Sequence, residues 1–286
     1  MNSLAKTTIP AVIGTVVGGS LYAAIGWWGF LLVFPWIGAA VSLGIHLQQR
    51  LKDEKKLLGR KVCILLILPA LLMFVPLANR ENFQLEGVIL IILAGYFSKG
   101  FIHYAVAKIF GPLLWGRGFC GWACWTAAVL DWLPITRHKR PTVSEKLKNI
   151  RYLSLFLSII IPVAAIYVVG YDVKGSYIGK AELTWMMAGN LVYYLLAILL
   201  AFYFTDQRAF CKILCPVSLV MKVPSQFACN RKQPTKVQCI ECGLCNDSCP
   251  MDVDVMSYIT RKSPVADTEC ISCNSCKVLC PVSAIR

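Results

Sequence analysis

Charge is scarce in this chain, acids scarcer, and histidine almost missing. Only 15% of the 286 residues are charged against 57% hydrophobic, and the mean hydropathy of +0.61 excludes an ordinary soluble globular domain. Fifteen acidic residues face 29 basic ones, and the net charge of +14 raises the question of a nucleic-acid partner. The basic residues sit beside apolar runs rather than in one long patch, which is the distribution that membrane topology produces, so no nucleic acid is expected. Three histidines, His46, His103 and His138, do not supply the facing pair of a transmembrane haem b, and the lack of C-x-x-C-H excludes a covalent haem. Glycine-rich stretches such as GTVVGG lie inside an apolar span without the strand and turn of a dinucleotide loop, which argues against NAD.

What the chain does have is long apolar runs. Six are near the ~17 to 25 residues needed to cross the hydrocarbon: about 9–25, 27–45, 62–78, 88–109, 151–171 and 186–205. The first follows Lys6 and resembles a signal peptide, but is read here as a span, joined to the second through Gly26, Trp27, Trp28 and Gly29. The loop after the second span carries Arg50, Lys52, Lys55, Lys56, Arg60 and Lys61, whereas NRENFQLEG has only Arg80 and two glutamates. Positive residues mark the cytoplasmic side, so the loops alternate consistently: 110–150, with Arg117, Arg137, Lys139, Arg140, Lys146 and Lys148, inside, and 172–185 outside. The expected protein is a multi-pass inner-membrane chain in contact with lipid, with both termini cytoplasmic. Its expected parts are an all-α membrane domain of about six helices over 1–205, a linker over 206–238 and a cytoplasmic α+β domain over 239–286.

Most of the 14 cysteines follow residue 206. CIECGLCNDSCP at 239–250 and CISCNSCKVLCP at 270–281 are both C-x2-C-x2-C-x3-C-P, the spacing of bacterial two-cluster ferredoxins, in which the fourth cysteine crosses to the other cluster. On that pattern Cys239, Cys242, Cys245 and Cys280 hold one 4Fe-4S cluster, and Cys270, Cys273, Cys276 and Cys249 hold a second. The alternative, a pair of structural zinc sites, requires neither the third close cysteine nor the terminal proline. KVQ and VDVMSYI, flanking the first run, suit the small hairpins of a ferredoxin fold, and Ile240 and Ile271 are expected to cover cluster sulfur from water.

A shorter phrase occurs twice at the membrane edge. RGFCGWAC at 117–124 and RAFCKILC at 208–215 follow the fourth and sixth spans, on the same side, and prolines follow at Pro134 and Pro224. Thiols four apart on a helix share a face, so Cys120, Cys124, Cys211 and Cys215 offer four sulfurs to one object: a third iron-sulfur cluster or one zinc. A reversible dithiol and plain buried small residues are the other readings. Arg117 and Arg208 precede each pair by three residues and either offset the negative charge of a thiolate-ligated centre or snorkel. Cys63 and Cys229 are read as structural thiols, with Cys229 a weaker candidate ligand.

Within the fourth span, Lys99 and His103 lie four apart on one face, about a turn or more above the first thiol pair. A hydrogen-bonding, proton-exchanging pair near an electron acceptor suits a quinone, while snorkelling of Lys99 or an interfacial helix is the plainer reading.

The order of apolar spans, RGFCGWAC, a second pair of spans, RAFCKILCP and two ferredoxin runs resembles the NapH/MauN ferredoxin-type membrane proteins and the wider YccM and NosR polyferredoxin-like group, over about residues 88–286. The resemblance implies that the twelve cysteines of the phrases and runs are functional, and that electrons move between the quinone pool and the subunits of a partner oxidoreductase. This chain departs from the family's pattern at Trp125, which stands where the family has proline, while Pro216 is kept. Two rival functions remain open from sequence: a non-catalytic anchor, assembly or redox-sensing subunit, and a copper reductase using the C-x3-C pairs.

Overall fold

The computed structural model describes residues 3–95, 99–135, 143–171 and 178–286; Arg137, Lys139 and Arg140, used above for topology, and His138 lie outside them. Helices dominate. Five are long and apolar enough to cross a membrane: α1 (Ser3–Ile25), α2 (Phe30–Arg50), α3 (Lys56–Ala78), and, later in the chain, Glu145–Tyr167 and Ile178–Tyr203. Lipid tails give apolar helices no reason to associate, so close backbone approach has to do it, and small residues permit that approach. Gly14 and Gly18 of α1 face Phe34 and Phe30 of α2 so closely that a Cβ at Gly14 would stand 2.4 Å from the Phe34 carbonyl oxygen. Gly44 of α2 meets Gly59 and Cys63 of α3 in the same way, which accounts for Cys63 as a buried packing thiol.

The expected fourth span over 88–109 is not one helix. From Arg80, which lies against Gly179, the chain runs extended through Asn82 and Phe83 to Gln84, which lies against Gly189. It has thus travelled ten residues along the neighbouring helix, about 15 Å. Only there does α4 (Leu85–Leu93) begin, and it stops at Gly95, whose φ of +76° suits glycine. The next helical stretch, α5 over 99–115, starts beside the first turn of this excursion, since Gly100 N–H donates to Glu81 Oε2 at 3.0 Å and His103 stacks on Phe83 at 5.5 Å. It then runs to the first thiol phrase. Two physical causes break the expected span. Asn82, Gln84 and Glu86 are polar groups that seek partners inside the protein, and Pro112, lacking an N–H, leaves the ladder over Ala105–Phe110 slipped into a π turn. Extended backbone at this depth is tolerated because it is enclosed by protein.

After the phrase, α6 (Gly118–Trp122) and α7 (Trp125–Leu130) lead to α8 (Glu145–Tyr167) and α9 (Ile178–Tyr203), followed by α10 (Ala209–Ile213) and α11 (Pro216–Ser225). The basic ends of α2, α3 and α8 meet the thiol phrases and the C-terminal region at one face: Arg60 donates to Gly121 O, Asn274 to Gln48 and Arg151 to Glu269.

The C-terminal region differs from the expected α+β fold. Among the described residues no strand forms; an isolated antiparallel bridge joins Pro234 to Ile285, and short helices occupy Leu244–Asp247, Val255–Thr260 and Ser275–Val278. The β-branched VDVMSYI turns helical because Asp254 caps it, accepting the Ser257 N–H at 3.3 Å. The two cysteine runs are nevertheless backbone copies. Glu241, Gly243 and Asp252 in the first, and Ser272, Asn274 and Ser283 in the second, have positive φ at matching places.

Candidate metal centres

Each membrane-edge phrase folds the same way. Arg117 precedes α6, and Cys124 then turns extended (φ −70°, ψ 122°) at the start of α7; Arg208 precedes α10, and Cys215 (φ −66°, ψ 109°) starts α11. In both, the second cysteine's N–H returns to a phenylalanine carbonyl, Phe119 at 3.0 Å or Phe210 at 3.1 Å. The thiols of a pair therefore do not share a face of one helix, as their spacing suggested; a helix-turn-helix bend brings them together. Trp125 leaves that bend in the same conformation as Pro216 does, so the departure from the family pattern costs no geometry here.

The four thiols, Cys120, Cys124, Cys211 and Cys215, lie within one another's electrostatic reach. Burial, reinforced by Cys124 and Cys120, pushes the Cys211 thiol up to about 11 against the pull of Arg208 and Arg117, and burial raises Cys124 and Cys215 as well. Ligating iron requires loss of those protons. Positive charge nearby lowers that cost, and three fully buried cations supply it: Arg117, Arg208 and Lys108, the last reaching over the Phe119 ring toward Cys124, Cys120 and Cys215.

Neither arginine snorkels. Arg208 grips Asp131 with two bonds from Nη2, at 2.7 and 2.9 Å, and Arg60 donates to the same carboxylate at 2.6 Å. Burial opposes ionisation of Asp131, yet Arg208 and Arg60 hold it below the usual carboxylate range. Arg117 pairs with Glu269, the residue before Cys270, together with Arg151 at 2.8 Å and Lys222 at 3.3 Å. Burial works against this carboxylate too, but Arg117, Arg151 and Lys222 prevail and hold it at about 2.

The terminal runs gather their cysteines in the crossed arrangement that the spacing predicts. Cys239, Cys242, Cys245 and Cys280 line one recess, with Ile240, Met256, Ile259 and Ile285. Cys249, Cys270, Cys273 and Cys276 form a second group, in which burial raises Cys270 to about 11 and Cys273 and Cys249 add to it. Among the described residues no three His, Cys, Asp or Glu side chains converge on the space of a single ion. A cubane spreads its ligands wider than one zinc does, so the absence of a single-ion site does not argue against a cluster.

The second group abuts the membrane-edge phrase. A Cβ on Gly121, between Cys120 and Cys124, would stand 2.2 Å from the Ile271 carbonyl oxygen, and Trp122 Nε1 donates to Ser272 O at 3.0 Å. Ile271 is 2% exposed but Ile240 is 57% exposed, so the expected shielding of both groups holds for one isoleucine alone. Cys229 is exposed, its N–H bonded to Leu113 O.

His103 is half-buried in a box of Phe83, Tyr104, Phe119 and Trp125, with its buried Nε2 lacking a hydrogen-bond partner. The Lys99 side chain lies outside the described residues. Sequence reasoning missed Lys108, Asp131 and Glu269. Lys108 stands out as a cation in the apolar stretch AVAKIF, but the acids owe their roles to partners up to 152 residues away, which no local pattern announces.

A family model described as a 4Fe-4S binding domain matches residues 104–142 and 190–236, segments that contain both membrane-edge phrases and end before the terminal runs. The match supports an iron-sulfur protein of ferredoxin type. Uncharacterized protein MJ0749 of Methanocaldococcus jannaschii is 28% identical over 150 residues, covering 50% of this chain and 55% of its own length. Uncharacterized protein MJ0750 of the same organism is 26% identical over 185 residues, 60% of this chain and 76% of its own. The chain thus spans about half the length of the first of these relatives. No solved structure matches it.

Proposed function

We propose that this protein is a membrane-embedded electron relay, one subunit of a larger oxidoreductase, that links the quinone pool to a partner enzyme on the cytoplasmic side of an inner membrane. One-electron transfer is the chemistry that iron-sulfur clusters supply when bound. In this reading Cys120, Cys124, Cys211 and Cys215 hold a membrane-edge cluster, Cys249, Cys270, Cys273 and Cys276 a second, and Cys239, Cys242, Cys245 and Cys280 a third. The observation that carries it is the interlock of Gly121 with Ile271, by which the phrase bearing the membrane-edge thiols packs on the run bearing the second group. Arg117 and Glu269 clamp that junction, and Arg208 and Lys108 supply counter-charge.

His103, one phenyl ring from the phrase that carries Cys120, is the group we assign to a quinone, with its free Nε2 as the polar handle. The cytoplasmic orientation rests on the basic residues of the 50–61 loop, which lie at the thiol face. Burial of Cys211 in this junction favours a relay over a copper reductase, whose thiols would have to meet a metal from solvent.

The test is iron and acid-labile sulfide per chain in anaerobically purified protein, beside a variant with Cys120→Ser and Cys211→Ser. Three cubanes require about twelve irons and two about eight. The expected outcome is a fall from about twelve to about eight, with menaquinol or ubiquinol reducing the clusters of the parent. Equal iron in both proteins would instead make the membrane-edge thiols structural and favour an anchoring role.

A further inference from the structure

The excursion of residues 80–86 into the membrane domain has no part in holding iron. It lines a polar seam. At the end away from the thiols, Glu182 of α9 is buried, 2% exposed, and Asn82 lies against its carboxyl. Next comes Gln84, 4% exposed, with Nε2 unpartnered, and then Glu86, whose Oε1 accepts from Ser158 Oγ at 2.6 Å and Tyr193 Oη at 2.7 Å while Oε2 has no partner. Along α9, Glu182 and Tyr193 are eleven residues apart, about 16 Å, so the seam crosses roughly half the hydrocarbon.

Three physical facts bear on what the seam does. A carboxyl at this depth is costly and tends to be functional, and Glu86 has no ion pair among the described residues. The orphaned atoms include both donors (Asn82 Nδ2, Gln84 Nε2) and acceptors (Glu86 Oε2), a set that only a group able to donate and accept, such as water, satisfies throughout. Beyond Glu86 the titratable groups facing it are Tyr104 of α5 and Tyr193 of α9, and these adjoin Cys215 and Cys124; the flanking Leu155 of α8 and Val217 and Val220 of α11 are apolar. An electron arriving at the thiols therefore places negative charge near Glu86 in a low dielectric, which raises its affinity for a proton.

We propose that residues 82–86 form a hydrated proton path from the face opposite the thiols to Glu86, and that Glu86 takes up one proton when the membrane-edge centre takes up one electron. The carboxylate becomes a carboxylic acid, the proton comes from water at the opposite face, and the electron comes from quinol in the function proposed above or from a chemical reductant. The inference rests on the membrane-edge cluster but not on the quinone.

The experiment is a redox titration at several pH values of the paramagnetic signal that Cys120→Ser with Cys211→Ser removes, using dithionite so that failure of the quinone reading leaves it intact. The parent midpoint should fall with pH, by at most about 59 mV per unit for one proton per electron, and Glu86→Gln, which keeps both hydrogen bonds, should flatten it with the signal retained. In proteoliposomes, a carboxylic acid infrared band lost in Glu86→Gln should respond to pH at the face opposite the thiols, and more slowly in Gln84→Leu. A midpoint equally pH-dependent in Glu86→Gln, one independent of pH in the parent, or a band that follows only the thiol face overturns the proposal, as does absence of the membrane-edge signal.

Discussion

The two terminal cysteine runs share spacing and backbone but occupy opposite environments. The group around Cys270 is sealed against the membrane-edge phrase, with Ile271 at 2% exposure under Gly121 and Trp122. The group around Cys239 faces outward, with Cys242 exposed and Ile240 at 57%. A repeated motif thus supplies two equivalent sets of thiols in unequal surroundings, and in the proposed relay the sealed set would receive from the membrane and the outward one would face a partner. Solvent exposure is also among the levers on cluster potential, so the two need not be redox equals.

The comparison is broken most severely at its clamp. Glu269→Gln leaves Arg117 and Arg151 buried beside a neutral amide, and removal of one partner from a buried ion pair costs about 3–5 kcal/mol. Thermal denaturation in detergent should drop accordingly, and limited proteolysis should release the C-terminal region while the membrane helices stay intact. The isoleucines sharpen the contrast: Ile271→Ala should cost about 2–5 kcal/mol as a buried large-to-small change, and Ile240→Ala should stay within about 0.5 kcal/mol. Equal losses from the two would mean that the exposures do not differ in the working protein. The smallest effect concerns acid. Glu269 is depressed from 4.5 to about 2, so its contribution is present above pH 4.5 and lost as pH falls through 2. Docking, followed by proteolysis on the metal-free protein, should therefore persist at pH 4 and weaken toward 2, whereas Glu269→Gln should show no such transition.

Much of this arrangement was legible in the sequence. Five of six spans follow from apolar length, and the two cysteine runs stand out by spacing, because both are short-range patterns. The fourth misled because GVILIILAGYF reads as uniformly apolar, while the break depends on Glu86 just before it, whose partners lie on α8 and α9. The junction was equally hidden. Arg117 and Arg208 could be picked out by their shared position, but Glu269 and Asp131 become their counter-charges only once distant segments meet. Strand expectations around the cysteines failed at Asp254, where one capping side chain overrode β-branched neighbours.

The crossing of cysteines between runs also sets an order of events during synthesis. Cys239, Cys242 and Cys245 are joined at their recess by Cys280, so three thiols of that set emerge from the ribosome ahead of the fourth. At about 5–20 residues per second the interval lasts on the order of seconds. All five long helices have been translated by then. The outward-facing recess thus closes after the five long helices are made and after Cys249, Cys270, Cys273 and Cys276 are all present, and for that interval its three thiols stand open to oxygen and stray metals.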